Sequence, residues 1–316
     1  MGLTIQNENI LFNDKPLLLR GVAIPDIYWL ENKESTDITS VLKKVKSTGA
    51  NVVRYTVVPG HLLFYKNYLE ERVRQIVNLC NELDLFCILD WHALGNPITN
   101  TSKYTEYKHI VDGKEIYWYN ASFELAKKGW KKISELFAHE EHVLFELFNE
   151  PAPGEKDVQQ LDLKALPWTT WKEMQQGLID IVREYSDDKI IIVNSNYWTF
   201  NLLETSKNLY EDKKVVYAFH CYAIRNNKNW REMLDSLKHK PIIMTEWGFD
   251  SKEDSFFYGT IEEYAKPLID YCDLNKIHWT AWCFSASWSP RMLKSWEPLE
   301  YSTFGKFVLK KLSNEK

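Results

Sequence analysis

Two glutamates end apolar, strand-like stretches of the sequence and could act together in acid–base chemistry. Glu150 closes the stretch HVLFELFNEP at residues 142–151, and Glu246 lies in PIIMTEWG at residues 241–248. Burying a carboxylate is costly unless it is paired, so each acid is either solvated at a loop edge or aimed at a site. A pair of carboxylic acids suits cleavage of a glycosidic bond, in which one protonates the leaving oxygen and the other attacks or activates water.

A third glutamate, Glu146, competes for the acid role because it has the same strand parity as Glu150. It lies four residues earlier, however, which places it about 13 Å deeper at roughly 3.3 Å per residue. We therefore predict that Glu146 is a buried, paired structural acid.

Eight short apolar stretches alternate with amphipathic helical patterns along the chain. They cover residues 16–22, 51–58, 85–92, 142–150, 189–195, 214–222, 241–248 and 277–285. Nearly continuous hydrophobic strands that alternate with helices are typical of a parallel sheet buried on both faces. Eight such units in 316 residues favour a closed (β/α)8 TIM barrel over an open doubly wound sheet. No GxGxxG or P-loop motif follows a strand.

The domain organisation is predicted to be simple. We find no internal repeat, low-complexity segment or linker, so residues 1–316 are predicted to form a single catalytic (β/α)8 barrel domain. The first residues include TIQNENILFND, which turns at residues 7–9 and is predicted to form a short β-hairpin that caps the barrel floor.

Polar and aromatic residues stand at the carboxyl ends of seven of the eight predicted strands, where the chemistry of such a barrel gathers. They are Arg54, Asp90 with His92, Asn149 with Glu150, Asn194 with Asn196, His220 with Tyr222, Glu246 with Trp247, and Trp282. Packing alone does not explain seven strands that deliver such residues to one mouth, so we predict an active site there.

Several motifs, taken together, resemble those of glycoside hydrolase family 5, the cellulase-type group of retaining (β/α)8 enzymes. They are RGV, NVVRY, LFELFNEP, FHCY and IIMTEWG, in this order, and the resemblance spans essentially the whole chain. The motif NEP alone is weak, but Glu246 follows Glu150 by 96 residues (246 − 150), as the resemblance requires. One departure is Ala23, where family members commonly carry asparagine.

The resemblance implies catalytic roles for the glutamates and their neighbours. Glu150 would be the acid/base and Glu246 the nucleophile, while Asn149 would bind the 2-hydroxyl of the sugar. Arg54 and Tyr222 would keep Glu246 ionised and oriented. Two carboxyl groups roughly 5 Å apart do not both ionise easily, so Glu150 would keep the proton near neutral pH.

The remaining candidate site residues would contact the sugar. His92 and His220 would hydrogen-bond the sugar or the catalytic acids, and Trp282 would form the floor beneath the reacting sugar. Asn196 and Trp198, which follow the fifth strand, are further substrate-binding candidates. Structural alternatives stay open: the histidines could be core histidines, Trp282 could be core packing, and Arg54 could belong to a core ion pair.

Two long loops stand over the predicted mouth, at residues 93–120 and 151–167, and loops of this length are usually functional. The first would present an aromatic wall of Tyr104, Tyr107, Tyr117, Trp118 and Tyr119. Other tryptophans in loops or at helix starts, some of which should stack on sugars, are Trp29, Trp168, Trp171, Trp288 and Trp296.

The resemblance implies a substrate of β-1,4-linked glucan or mannan chains or oligosaccharides, cleaved internally by double displacement. The alternatives are a non-catalytic sugar-binding barrel and an exo-acting β-glucosidase or β-mannosidase on short oligosaccharides. Glucose and mannose differ at one hydroxyl, so the sequence leaves both open.

Composition argues against several other classes of protein. The net charge is −5 with no basic stripe, which argues against nucleic-acid binding, and no apolar run is long enough for a membrane helix. The histidines are not clustered as zinc ligands and no lysine stands at a strand end, so we expect neither a metal nor another cofactor. We expect a monomer.

The location of the protein is predicted from its start and its cysteines. No signal peptide is visible, and the five cysteines lie in apolar stretches without CxxC spacing, as expected of free thiols in a reducing compartment. We therefore predict a cytoplasmic protein, with a secreted protein whose leader has been removed as the alternative.

Overall fold

A computed structural model describes residues 2–153, 166–224 and 229–313. The strands of these residues are β1 (Leu3–Gln6), β2 (Asn9–Phe12), β3 (Lys15–Leu17), β4 (Arg20–Ile24), β5 (Val52–Val57), β6 (Phe86–Trp91), β7 (Leu94–Asn96), β8 (Thr101–Ser102), β9 (Lys108–Val111), β10 (Lys114–Tyr117), β11 (Val143–Glu146), β12 (Glu150–Pro151), β13 (Ile191–Asn194), β14 (Val215–Tyr222), β15 (Ile242–Gly248), β16 (His278–Ala281), β17 (Leu293–Ser295) and β18 (Glu300–Tyr301).

The helices alternate with the long strands. They are α1 (Ile27–Asn32), α2 (Ile38–Ser47), α3 (Pro59–Phe64), α4 (Arg74–Glu82), α5 (Phe123–Phe137), α6 (Trp168–Arg183), α7 (Asn196–Thr199), α8 (Leu202–Lys207), α9 (Trp230–Ser236), α10 (Lys266–Leu274) and α11 (Thr303–Ser313). Short π-helical segments, Tyr68–Val73 and Ile261–Ala265, lead into α4 and α10.

Eight parallel strands close into a barrel, which confirms the predicted (β/α)8 fold. Their order around the barrel is β4, β5, β6, β11, β13, β14, β15 and β16, with β16 paired to β4. Each predicted apolar stretch overlaps one of these strands. Because β16 and β4 close the ring, they lie across the barrel from β11 and β13.

The amino-terminal residues form a three-stranded antiparallel sheet, β1–β2–β3, one strand more than the predicted hairpin. Leu3 and Ile10 from this sheet belong to the same buried cluster as Leu144 and Ile192 from inside the barrel. The sheet therefore closes the barrel floor, as predicted, and leaves the opposite end open for a site.

Local sequence signals set the ends of the helices. The carboxylate of Asp37 accepts a hydrogen bond from the backbone of Ser40 at the start of α2, and Gly49, with φ of +97°, follows its end. In α5, Gly129 lies against Trp91 of the barrel, where an added Cβ would be 2.3 Å from the indole. Such close contacts seat the helices on the strands.

The loops above the mouth differ from simple connections. The loop at 93–120 contains strands β7 to β10, and β7 pairs with β12, so that Leu94 lies beside Glu150. Most of the second long loop, residues 154–165, lies outside the described residues. The first loop therefore helps to fix one of the two candidate catalytic acids.

All five cysteines, Cys80, Cys87, Cys221, Cys272 and Cys283, are buried and free. In the described part of the chain, every helix is too short or too polar to cross a lipid bilayer.

Candidate active site

The carboxyl ends of the barrel strands surround a cavity of about 870 Å³. Eight of the ten predicted site residues line it, namely His92, Asn149, Glu150, Trp198, His220, Tyr222, Glu246 and Trp282. Arg54 and Asn196 are not among its lining residues in the described part of the chain. The structure therefore brings most of the predicted constellation to one place.

Glu150 and Glu246 face each other across this cavity. A carboxylate oxygen of each, together with a ring nitrogen of His220, lies within 4.8 Å of the other two atoms. Carboxyl groups about 5–5.5 Å apart suit a retaining glycosidase, whereas an inverting enzyme leaves about 6.5–9.5 Å for a water molecule. The short separation therefore suits direct attack by one of the glutamates.

Glu150 is the more readily protonated of the two acids. Burial, together with the neighbouring charge of Glu246, raises its pKa to about 7 against the opposing hydrogen bond from His220. Its backbone N–H donates to Ala93 at 3.1 Å, which ties the acid to the loop after β6. Glu150 thus has the protonation state of a general acid near neutral pH.

Glu246 is held in the ionised form. Burial alone would raise its pKa, but the positive charges of His220 and Arg54 lower it below the ordinary value. Arg54 Nη1 donates to Oε1 at 2.7 Å, and the Tyr222 hydroxyl donates to Oε2 at 2.5 Å. A carboxylate with these partners is charged and oriented, as a nucleophile must be.

Arg54 lies beneath the site and has no exposed surface. In addition to Glu246, its guanidinium donates to Glu146 from Nε at 2.6 Å and to Asn149 from Nη2 at 2.7 Å. Nη2 also lies 3.1 Å from Asp90. Its donors therefore face protein acceptors, Glu246 among them, instead of the cavity.

Glu146 is the buried, paired acid that its depth predicts. Burial would raise its pKa, but Arg54 and His220 lower it to about 2. Asn194 Nδ2 also donates to Glu146, at 3.0 Å. Glu146 therefore stays ionised below the site and offsets the charge of Arg54.

The two histidines carry different charges. Burial would lower the pKa of His220, but the surrounding carboxylates, Glu246 foremost, raise it to about 9. Burial lowers the pKa of His92 to about 3, and its Nδ1 lies 2.5 Å from Asp90 Oδ2. A neutral His92 that donates Nδ1–H to Asp90 keeps Nε2 as an acceptor for a hydroxyl.

Trp282 forms a flat surface beside the acids. Its ring lies parallel to His92 at 9°, with centroids 5.2 Å apart, and its side chain lines the cavity. Alternation along the strand predicts that Phe284 faces the cavity, as Trp282 does. Phe284 instead belongs to the same buried hydrophobic cluster as Trp279 and Ala281. The difference arises because β16 ends at Ala281, before Phe284.

The turn after β13 contradicts the predicted role of Asn196. Asn196 is fully buried, and its Nδ2 donates to the backbone of Leu166 at 2.9 Å, so its assignment to substrate binding is wrong. Tyr197, Trp198 and Thr199 all have positive φ, between 56° and 66°. This left-handed turn, rare for residues other than glycine, directs Tyr197 and Trp198 to the cavity while Asn196 points away.

The predicted aromatic wall is present in part. Tyr104, Tyr107 and Tyr119 line the cavity, whereas Tyr117 and Trp118 are not among the lining residues described. Trp118 instead packs against the buried ring of His61, with centroids 5.0 Å apart.

Of the other tryptophans considered, Trp29 and Trp288 line the cavity. Trp168 and Trp171 are buried in α6, and Trp296 is also largely buried.

Several lining residues carry no recognisable signal in the sequence. They are Leu94, Glu106, Phe200, Asn201, Ile224, Asn229, Met233, Phe256, Phe257, Ser287 and Ser289. Most stand in loops without periodicity, so only their position after a predicted strand could have indicated them. Phe256 is notable because 52% of its surface is exposed at the edge of the cavity.

Comparison with known proteins places these features in context. A model of the cellulase family, glycosyl hydrolase family 5, matches residues 11–287. Cellulase CelDZ1 of Thermoanaerobacterium sp is 26% identical over 277 residues, which cover 84% of this chain and 65% of the relative. An endoglucanase of Clostridium saccharobutylicum is 25% identical, with 95% of this chain and 62% of the relative covered. The chain thus spans less than two thirds of the length of these relatives.

Solved structures share the fold. The β-glucanase SdGluc5_26A from Saccharophagus degradans has a TM-score of 0.84 at 21% identity, covering 99% of this chain and 93% of its own. The catalytic domain of Thermobifida fusca endoglucanase Cel5A has a TM-score of 0.77 at 20% identity, covering 99% and 97%.

Proposed function

This chain belongs to glycosyl hydrolase family 5, the cellulase family, and on that premise we propose that it is a retaining endo-β-1,4-glucanase. Its substrates are β-1,4-linked glucan chains and oligosaccharides. The observation that carries the proposal is the pair of glutamates with opposite pKa shifts, raised for Glu150 and lowered for Glu246, within 4.8 Å of each other. The names of the relatives, cellulase and endoglucanase, support the substrate.

The first step forms a covalent glycosyl-enzyme. The ionised carboxylate of Glu246 attacks the anomeric carbon while Glu150 donates its proton to the glycosidic oxygen, so that the carbon–oxygen bond breaks and the leaving sugar departs as an alcohol. Asn149, held through Oδ1 by Arg54, is placed to contact the hydroxyl beside the anomeric carbon.

The second step returns the enzyme to its starting state. Glu150, now a carboxylate, takes a proton from water, whose oxygen attacks the same carbon and releases Glu246. The charge of Glu246 is absent in the covalent intermediate, and that charge raises the pKa of Glu150 in the free enzyme. Glu150 therefore becomes more acidic once the intermediate has formed, which suits its change from acid to base.

The positions of Glu150 and of the aromatic walls fix the direction in which a sugar chain lies in the cleft. The leaving sugar lies on the side of Glu150, where the turn after β13 supplies Tyr197 and Trp198. The opposite side is formed by Trp29 after β4 and Trp288 after β16, across the barrel from β11 and β13. We call Trp29 and Trp288 the glycone platform, because the sugars that stay bound to the enzyme after the first step extend over them.

A second candidate substrate is β-1,4-mannan. A mannanase catalytic domain from Streptomyces sp. SirexAA-E shares the fold, with a TM-score of 0.70 at 16% identity. Glucose and mannose differ at the 2-hydroxyl, so the discrimination depends on a few polar contacts near Asn149. We place glucan first because the relatives in sequence are endoglucanases.

The experiment that tests the proposal is a substrate panel with products separated by chromatography. The panel contains carboxymethyl-cellulose, mannan, glucomannan, the matching oligosaccharides and an aryl cellobioside. An endoglucanase releases mixed oligosaccharides from the polymer, whereas an exo-acting β-glucosidase or β-mannosidase releases only a monosaccharide. A non-catalytic sugar-binding barrel cleaves none of them, even where it binds them.

The chemistry assigned here needs no metal ion. Glu150, His220 and Glu246 bring three potential ligand atoms together, but the double displacement uses both carboxyl groups, one as acid and one as nucleophile. Dialysis against EDTA should therefore leave turnover unchanged.

We infer a reducing compartment, the cytoplasm, from the five buried free thiols. A monomer also remains our expectation.

A further inference from the structure

A carboxylate outside the catalytic centre, Glu34, organises the loop after β16. It lies two residues beyond the end of α1. Its oxygens accept hydrogen bonds from Ser285 Oγ, Ala286 N at 3.3 Å, Ser287 N at 3.2 Å, Ser287 Oγ and Trp296 Nε1 at 2.6 Å. One side chain thus gathers donors from three consecutive residues of that loop and from an indole beyond it.

Two serines extend these contacts to the glycone platform. Ser285 Oγ accepts a hydrogen bond from the backbone of Trp288 at 2.9 Å, and Ser287 Oγ accepts one from the indole of Trp29 at 2.8 Å. Each of these hydroxyls donates in turn to Glu34. One serine hydroxyl therefore links each tryptophan of the platform to the same carboxylate.

The tryptophan rings depend on this arrangement for their relative positions. The centroids of Trp29 and Trp288 lie 5.5 Å apart with the ring planes at 58°, and Trp288 lies 5.4 Å from Trp282 at 25°. The surface is therefore continuous with the floor of the catalytic centre. A platform that is already ordered spares a sugar chain the entropic cost of ordering loop side chains on binding.

We propose that Glu34 is a positioning residue that fixes Trp29 and Trp288 as a preformed platform for the glycone end of a β-glucan chain. The proposal rests on the proposed function, because it takes its ligand from there. It assigns a role in substrate affinity to a residue that lines neither the catalytic centre nor the cavity.

Replacement of Glu34 by glutamine is the informative change. A carboxamide has one oxygen to accept from the serines, and its NH2 group would then face the N–H groups of Ala286 and Trp296. The substitution keeps the size of the side chain but replaces one of its two acceptor oxygens with a donor. Glu31→Gln is the matched control, because Glu31 lies in the last turn of α1, close to Glu34 in the chain, and bonds Arg72 outside the cleft.

The measurement is calorimetric binding of cellotetraose to protein that carries Glu246→Gln, which binds without turnover. Addition of Glu34→Gln should weaken binding about tenfold, as expected when hydrogen bonds to a charged acceptor are lost. Addition of Glu31→Gln should leave the dissociation constant unchanged. In the active enzyme, Glu34→Gln should raise KM for cellotetraose with little change in kcat.

Two further variants show whether Glu34 acts through the platform. In a Trp288→Ala background, Glu34→Gln should add much less than tenfold, since neighbouring residues of one network are not additive. Ser287→Ala, which removes the hydroxyl that links Glu34 to Trp29, should weaken binding in the same direction by a smaller factor. It also serves if the Glu34 variant does not fold.

The two proposals fail in different ways. If the Glu246→Gln parent binds no cellotetraose and the active enzyme cleaves no β-glucan, the proposed function is wrong. If the parent binds cellotetraose and the Glu34→Gln or Ser287→Ala variant binds it equally well, only the role of Glu34 is overturned. Equal effects of Glu34→Gln with and without Trp288 would also overturn it.

Discussion

His220 Nδ1 lies 2.8 Å from Oε1 of Glu150, within hydrogen-bonding distance. The same nitrogen is 3.4 Å from Oε2 of Glu246. With its pKa raised by the carboxylates to about 9, despite burial, the ring carries a positive charge between the two acids. Glu246 is ionised in the first step of the proposed mechanism and Glu150 in the second, so one cation offsets the negative charge in both.

The pH dependence of kcat/KM should be bell-shaped with an optimum on the acid side of neutrality. Glu150 must be protonated to act as an acid, and its pKa, raised to about 7 by burial, means that this form is lost as pH rises through about 7. Glu246 must be ionised, and because its pKa is lowered, this form is lost only below the ordinary glutamate value of about 4.3. Values of kcat/KM on cellotetraose, whose leaving sugar needs a proton, measured across roughly pH 3–10, where carboxyl groups and histidine titrate, check both limbs. A limb of activity that rises above pH 7 would contradict the assignment of Glu150.

The two glutamates should respond differently to substitution. Glu246→Gln should abolish turnover on every substrate, because no covalent intermediate can form. Glu150→Ala should spare the first step for aryl glycosides with good leaving groups, which need no proton, and azide should restore turnover as an alternative nucleophile. Steady-state rates with a series of leaving groups, with and without azide, measure this. The roles are wrongly assigned if both variants show the same dependence.

Trp282→Ala should lower kcat and kcat/KM together, by about 2 kcal/mol or more in transition-state free energy. The reason is that stacking beneath the reacting sugar strengthens as positive charge develops on the ring. Kinetics on cello-oligosaccharides of increasing length check this, with Trp288→Ala as the comparison, which should raise KM mostly for longer chains. An unchanged kcat in folded Trp282→Ala would assign the residue to packing alone.

Thr199 should help to hold the acid. Its hydroxyl donates to the carbonyl of Asn149 at 2.6 Å, next to the peptide of Glu150. Thr199→Val keeps the shape but removes this donor, so we expect kcat to fall about tenfold, with recovery in Thr199→Ser. Thr205→Val is the control, because the buried hydroxyl of Thr205 also donates to a backbone carbonyl, that of Asn201. Equal rates for the two valine variants would show that the contact does not matter for catalysis.

The barrel and the two glutamates could be predicted because their signals are local. Seven of the eight predicted strands are short apolar stretches with polar or aromatic residues near their carboxyl ends, and the parallel arrangement brings those ends together. Depth along a strand also separated Glu146 from Glu150, since a rise of about 3.3 Å per residue places one under the mouth and the other at its edge. These inferences need only strand geometry and order.

The errors concern features that depend on three-dimensional detail. Asn196 follows a strand, but the left-handed residues Tyr197 and Trp198 change the direction of the chain, and such φ values are not encoded by any glycine there. Arg54 lies within β5 (Val52–Val57) and not at its end, and carboxylates from other strands accept its hydrogen bonds. Phe256 was missed because its loop has neither periodicity nor a turn motif.

The most direct test of the central claim identifies the residue that carries the sugar during catalysis. Incubation with 2,4-dinitrophenyl 2-deoxy-2-fluoro-β-cellobioside should trap the glycosyl-enzyme, because the fluorine slows its hydrolysis while the good leaving group lets it form. Mass spectrometry of the digested protein should then find one 2-deoxy-2-fluorocellobiosyl group on Glu246. A label on Glu150, or no label together with products of inverted configuration, would contradict the double displacement proposed here.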